Sequence, residues 1–340
     1  MRGQRILQSV IPVMLVASFL VACGGASVTT PVSEPPTATP APPSATPTPT
    51  VAPTHAPPAT TAKTESATAT VQSGQVSYEI VRDIPYQKDG SDYAQARGKL
   101  DLYLPRDREN FPVLVWFHGG ALMYEDKSEL YARTVAKRLA SEGIGVVLPN
   151  YRLNPLVKYP TYIEDAASAT AWVYHNIATY QGNPKQLFVG GHSSGAYLAA
   201  MIAMDERYLK PHQLSSQQIA GVILMSGEMY GDTTVWGERG IDKSTIDETK
   251  IDETTPMFYV RRDVPPFLNM CAENDDKDPS DVCEENQKFI EALRATGYKN
   301  VTFGKIPGRN HFSIADLESP PDNPVVKLML TFIQKAMSGK

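Results

Sequence analysis

Apolar positions follow two rhythms from Val76 to the end of the chain. Period-two alternation through Tyr78–Ile84, and again at Lys99–Leu104, predicts strands. Pro112–Phe117 and Gly145–Pro149 are continuous apolar runs of the kind buried in a parallel sheet. Gln186–Gly190, Ala220–Met225, Phe267–Cys271 and Asn300–Ile306 read as further strands. Helical spacing fills the intervals. Ser128 as N-cap, with Tyr131, Val135 and Leu139 at i, i+4 and i+8, predicts a helix that stops at Gly143. Tyr162–Tyr180 behind Pro160, Gly195–Met204, Asp281–Thr296 stopped by Gly297, and Val325–Met337 are the other helices. Strands alternating with helices predict an α/β fold, a mostly parallel central sheet with helices on both faces. Functional loops then gather at the carboxyl ends of the strands.

Upstream of this region the pattern changes. Residues 1–23 read as an export signal, with Arg2 and Arg5 ahead of the apolar run Val10–Ala22. The run is short for a spanning helix. Its end, Leu20-Val21-Ala22-Cys23, resembles the bacterial lipobox, which implies lipidation of Cys23; a plain signal peptide and an uncleaved anchor are the alternatives. Residues 24–74 are almost wholly Thr, Pro, Ala, Ser and Val, a composition that cannot bury a core and favours extended polyproline II. They read as a disordered tether reaching at most about 150 Å. Residues 75–340 have an ordinary globular composition and read as one α/β domain. The expected location is outside the cytoplasm, lipid-anchored to the outer face of a bacterial cell membrane.

The net charge of −5, with no Lys/Arg cluster, gives no support for nucleic-acid binding. Besides Cys23 the chain has only Cys271 and Cys283, a disulfide candidate in an exported protein, the alternative being two unpaired core thiols.

Candidate chemistry starts at Gly191-His192-Ser193-Ser194-Gly195, between a predicted strand and a predicted helix. This G-x-S-x-G pattern suits a sharp turn that exposes a nucleophilic serine, with glycines where strand and helix crowd each other. A base is needed, and in the α/β-hydrolases that this pattern resembles it lies downstream, after the acid. Of the six histidines, His55 lies in the tether, His118, His175 and His192 precede or flank the serine, and His212 comes before the next strand. His311 remains, in the turn-rich stretch Pro307–Phe312 after the last strand. The loop after Phe267–Cys271 is acidic; Asp275 is its leading candidate for the acid, with Asp276 and the other carboxylates as alternatives. Oxyanion donors are expected from the Ser194 N–H and from Gly119, Gly120 and Ala121, with His118 bracing that loop.

The order Ser, acid, His, the His118-Gly119-Gly120 stretch, Asn150-Tyr151-Arg152-Leu153, Tyr159-Pro160 with Asp165, and Val264–Leu268 resemble α/β-hydrolases of the carboxylesterase type. They are similar to the bacterial feruloyl-esterase-like and arylformamidase-like branch. That resemblance implies an α/β-hydrolase fold with a small cap insertion at 230–262, and a Ser193–His311–Asp275 triad acting on a small-molecule ester. It implies no cofactor and no metal. Ala121 and Leu122 stand where many relatives carry a third Gly or a Trp, and Ser194 where Ala is usual. The alternatives are an amide hydrolase, arylformamidase- or aminopeptidase-like, and a non-catalytic tethered binding domain. Oligomeric state is not legible.

Overall fold

The computed structural model describes residues 64–65, 76–88, 90–245, 250–275, 282–318, 320 and 322–338. The expectations for 1–23, for Cys23 and for nearly all of the tether lie outside these residues, as do Asp276 and Asp281. Among the described residues nine strands form one sheet: β1 (Thr64–Glu65), β2 (Tyr78–Pro85), β3 (Lys99–Pro105), β4 (Phe111–Phe117), β5 (Gly145–Pro149), β6 (Gly182–His192), β7 (Ile219–Met225), β8 (Phe267–Asn274) and β9 (Val301–Asn310). Their spatial order is β1-β2-β3-β5-β4-β6-β7-β8-β9. Pairs from β1 to β3 and β3 with β5 are antiparallel; all pairs from β5 to β9 are parallel. The helices are α1 (Asp92–Arg97), α2 (Leu130–Ser141), α3 (Thr161–Asn176), α4 (Ser194–Met204), α5 (Glu206–Leu209), α6 (Thr233–Glu238), α7 (Val282–Ala295) and α8 (Pro324–Ser338).

The continuous apolar strands are buried on both faces. Val113, Val115 and Phe117 of β4 pack in the layer that holds α3, α4 and α7, while Leu114 and Trp116 pack on the other side with α2 and α8. Every residue of α4 is buried, which is why it reads as apolar all round. The chain order reverses between β5 and β6, on either side of β4, and a ligand crevice forms at such a point, outside the carboxyl ends of the strands.

Boundaries differ from expectation in three instructive places. The N-cap of α2 is Glu129, whose carboxylate accepts from Ala132 N, instead of Ser128; Ser128 N–H is already taken by Asp126 Oδ1 at 2.6 Å. β9 runs on through Asn310, and β8 through Asn274, because the two keep pairing beyond their apolar residues. The short helices α1, α5 and α6 have too little apolar periodicity to be seen in sequence.

Candidate active site

Strand register assembles the site. Phe117 of β4 pairs with Gly191 of β6, so the chain leaves both strands side by side. On β6 the exit is a sharp turn: Ser193 has φ 54° and ψ −125°, and α4 starts at the next residue. A Cβ on Gly191 would lie 2.3 Å from the Gly195 carbonyl carbon, and one on Gly195 would lie 2.1 Å from Phe117 O. Only hydrogen fits at either position.

At the other side of the crevice, Asn274 of β8 pairs with Asn310 of β9, so the next residues along are Asp275 and His311. His311 Nδ1 is 2.9 Å from Asp275 Oδ1, and His311 Nε2 is 2.9 Å from Ser193 Oγ. An ionised carboxylate only accepts, so Nδ1 carries the proton and Nε2 is left to accept from the serine hydroxyl. Asp275 is buried, and its Oδ2 accepts from Ser226 Oγ at 2.5 Å and from Ala272 N at 3.0 Å. Burial pushes its carboxyl upward, but the His311 and Ser226 hydrogen bonds, the His311 charge and the Ala272 N–H together hold it below the usual carboxylate range.

The loop after β4 supplies candidate donors. Tyr151 OH donates to His118 O at 2.9 Å and Gly119 O at 3.2 Å, and Gly120 O accepts from Met123 N and Tyr124 N, each at 2.9 Å. In a planar trans peptide the N–H points opposite to the C=O, so the N–H groups of Gly120 and Ala121 face away from those partners. Among the described residues neither they nor the Ser194 N–H has an acceptor. Gly120 and Ala121 line a cavity of about 710 Å³ together with Ser193 and His311. Gly119 instead backs the turn, its Cβ direction 3.4 Å from Ser193 Cβ. His118 stacks on Tyr151 with ring centroids 4.3 Å apart, in the bracing position expected of it. Burial lowers both His118 and His192 to about 3, so both are neutral at working pH.

The stretch expected as a cap contributes one wall of the cavity: Thr233 and Gly237 of α6, then Ile241, Asp242 and Ser244. Tyr124, Glu125, Tyr131 and Phe312 also line it. Cys271 and Cys283 are disulfide-bonded, with Cα atoms 5.3 Å apart, across the loop that carries Asp275. Among the described residues no cluster of His, Cys, Asp and Glu is spaced to hold a metal ion.

Sequence reasoning missed two residues. Ser226 holds the far oxygen of Asp275, and His192 Nε2 donates to the His311 carbonyl at 2.6 Å, fixing the turn that carries the imidazole. A serine directly after the β7 apolar run was the one available signal for Ser226.

Known proteins share this architecture. Esterase LipQ of Mycobacterium tuberculosis is 28% identical over 67% of this chain and 56% of its own length. Kynurenine formamidase of Salmo salar is 25% identical over 72% of this chain and 81% of its own length. The chain spans under two thirds of the length of the first few curated relatives it matches. Among solved structures, esterase B of Lactobacillus rhamnosis superposes with a TM-score of 0.62 at 20% identity, over 77% of this chain and 88% of that one. A carbohydrate esterase from gut microbiota gives 0.61 at 18% identity, over 76% and 96%. The BD-FAE family model matches residues 100–289, a stretch that includes Ser193 and Asp275. With an α/β-hydrolase sheet around an elbow serine, the chain belongs to the BD-FAE family of esterase-type α/β-hydrolases.

Proposed function

We propose that this protein hydrolyses carboxylic esters through an acyl-enzyme on Ser193. Ser193 Oγ attacks the carbonyl carbon as its proton passes to His311 Nε2, and Asp275 stabilises the imidazolium. The N–H groups of Gly120, Ala121 and Ser194 receive the oxyanion. Collapse breaks the C–O bond, and the leaving alcohol takes the proton from Nε2. Water then attacks the acyl group by the same route, and Ser193 recovers its proton. The observation that carries this reading is the chain of two 2.9 Å hydrogen bonds from Ser193 through His311 to Asp275, beside three N–H groups without acceptors. A retired binding scaffold has no physical need for that combination.

Among the described residues the cavity lining includes the carboxylates Glu125, Glu129, Glu228 and Asp242 and neither Lys nor Arg, which favours esters without negative charge. Placement outside the cytoplasm, anchored through lipidated Cys23, is part of the proposal and rests on the N-terminal sequence. The second reading, cleavage of an N-formyl amide, is favoured by the likeness to kynurenine formamidase over most of that protein's length.

Ser193→Ala should leave the fold intact and lower hydrolysis of p-nitrophenyl acetate by at least about 10³-fold. A fluorophosphonate should label the unmodified protein at Ser193. Labelling at Ser194, or full activity in the variant, would remove the assignment. Faster turnover of a formyl amide than of any ester in a matched panel would select the second reading.

A further inference from the structure

The segment Gly120–Leu122 is held in an unusual conformation. Its three residues have φ of 94°, 49° and 55°, and two of them are not glycine. Left-handed backbone at Ala and Leu is strained, and it persists only where the surroundings hold it. Inside its own loop, only the Gly120 carbonyl is held, by Met123 N and Tyr124 N. The next two carbonyls are held from elsewhere. Thr234 Oγ1 donates to Ala121 O at 2.5 Å, and Asn154 N donates to Leu122 O at 2.9 Å. Asn154 is itself tied to Glu238, its Nδ2 donating to Glu238 Oε1 at 2.7 Å. Glu238 also accepts from Tyr159 N at 2.9 Å.

Thr234 and Glu238 are four residues apart on α6, one helical turn, and so share a face. The start of α6 is fixed in turn. Asp232 caps it by accepting from Thr234 N at 2.8 Å, and Glu228 accepts from Thr233 N at 2.9 Å and Thr233 Oγ1 at 2.8 Å. Thr234 is 8% exposed, so solvent does not readily replace its hydrogen bond.

We infer that α6 is a splint for the oxyanion-binding loop, with Thr234 and Glu238 as positioning residues for the reaction. The insertion that carries α6 therefore does more than cover the cavity: by holding the carbonyl that follows Ala121 it fixes the left-handed φ of Ala121, the rotation that joins this carbonyl to the peptide bearing the Ala121 N–H. If Ala121 O is released, the strained φ of Ala121 can relax, and the Gly120–Ala121 peptide, held in its own loop through the Gly120 carbonyl, shifts its N–H from the place where oxyanion charge develops. That contact is strongest in the transition state, so the loss falls on kcat with little change in KM.

The inference rests on the Ser193 reading above, and Ser193→Ala tests that reading separately. Thr234→Val, nearly isosteric but without the hydroxyl, is compared with Thr234→Ser and Glu238→Gln. The measurements are kcat, KM, Tm and inhibition by a boronic acid that mimics the tetrahedral state. Removing one oxyanion donor outright costs roughly 10² to 10³ in kcat, so misdirecting one should cost about 10- to 100-fold. Thr234→Val should show that loss with KM within about twofold, and boronate affinity should weaken in parallel with kcat/KM. Thr234→Ser should restore kcat to within about threefold. Glu238→Gln, which keeps an acceptor for Asn154, should fall between them. A folded Thr234→Val with unchanged kcat overturns the inference. So does a loss that serine does not restore, or one in which boronate affinity stays constant. If Ser193→Ala retains activity, the parent reading fails instead. If Ser193→Ala is dead and Thr234→Val is unaffected, only the splint fails.

Discussion

Replacing Asp275 by Asn tests the orientation of His311 in a way that geometry makes specific. Oδ2 of Asp275 faces two donors, Ser226 Oγ and Ala272 N. The hydroxyl can turn round, but the backbone N–H cannot. Asn at 275 therefore presents its carbonyl to Ala272 and turns its NH2 toward His311 Nδ1. Nδ1 must then accept, the proton moves to Nε2, and Nε2 can no longer take the proton from Ser193. Enforcing that tautomer costs about 10⁴ in kcat, which is about 5.4 kcal/mol. The isosteric Asn should then be no faster than Asp275→Ala, which leaves His311 free to choose its tautomer. Stability changes less. Charge-assisted hydrogen bonds of roughly 1.5–3 kcal/mol become neutral ones of roughly 0.5–1.5, a loss of about 1–1.5 kcal/mol for each. The pH dependence has a definite sign. The folded carboxyl sits below its ordinary value, so its contribution is present above the unfolded pKa of about 3.9 and is lost as pH falls through the folded value. The Tm gap between the unmodified protein and Asp275→Asn should be constant near neutrality and close below about pH 4. The assays are kcat on p-nitrophenyl acetate, the rate of fluorophosphonate labelling at Ser193, and thermal unfolding from pH 3 to 8. An Asn variant keeping more than about a tenth of the original kcat would refute the reasoning, as would greater damage from Asp276→Asn.

Two further outcomes are expected. A monosuccinate ester should be cleaved at least about tenfold less efficiently than the butyrate ester of the same alcohol, and the gap should narrow with added salt. Like charges about 8 Å apart at an effective dielectric near 20 repel by about 2 kcal/mol, and Glu125, Glu129, Glu228 and Asp242 all line the cavity; equal efficiency would show that the acyl group avoids them. The full chain should fractionate with membranes, and Cys23→Ser should abolish lipidation; a freely soluble protein with an unmodified N-terminus would replace anchoring by simple secretion.

Certain features were legible because the chemistry is local. The G-x-S-x-G turn is written in consecutive residues, since the collisions that demand glycine at 191 and 195 arise within one tight reversal and from the strand beside it. The apolar runs marked the parallel strands because both of their faces are buried. His311 followed from its place after the last strand, Asp275 was the leading one of several carboxylates in the loop after Phe267–Cys271, and Cys271 with Cys283 were a disulfide candidate as the two thiols left in the domain. Other features depend on which segments meet. The α2 cap went to Glu129, whose carboxylate reaches the Ala132 N–H, while Ser128 lies inside a turn closed from Glu129 N to Asp126 O, an arrangement that spacing does not reveal. Ser226 reaches Asp275 because β7 and β8 are neighbours in register, with Met225 opposite Met270. The contact from Thr234 to Ala121 joins residues 113 apart, in a short helix without apolar rhythm and a loop whose strain no residue type announces. Sequence by itself placed Ser193, Asp275 and His311 at the ends of strands, where the structure brings them within hydrogen-bond distance, and marked the layers that carry them. Tertiary structure decided which polar groups hold them in place, because a hydrogen bond between distant segments leaves no period in the chain.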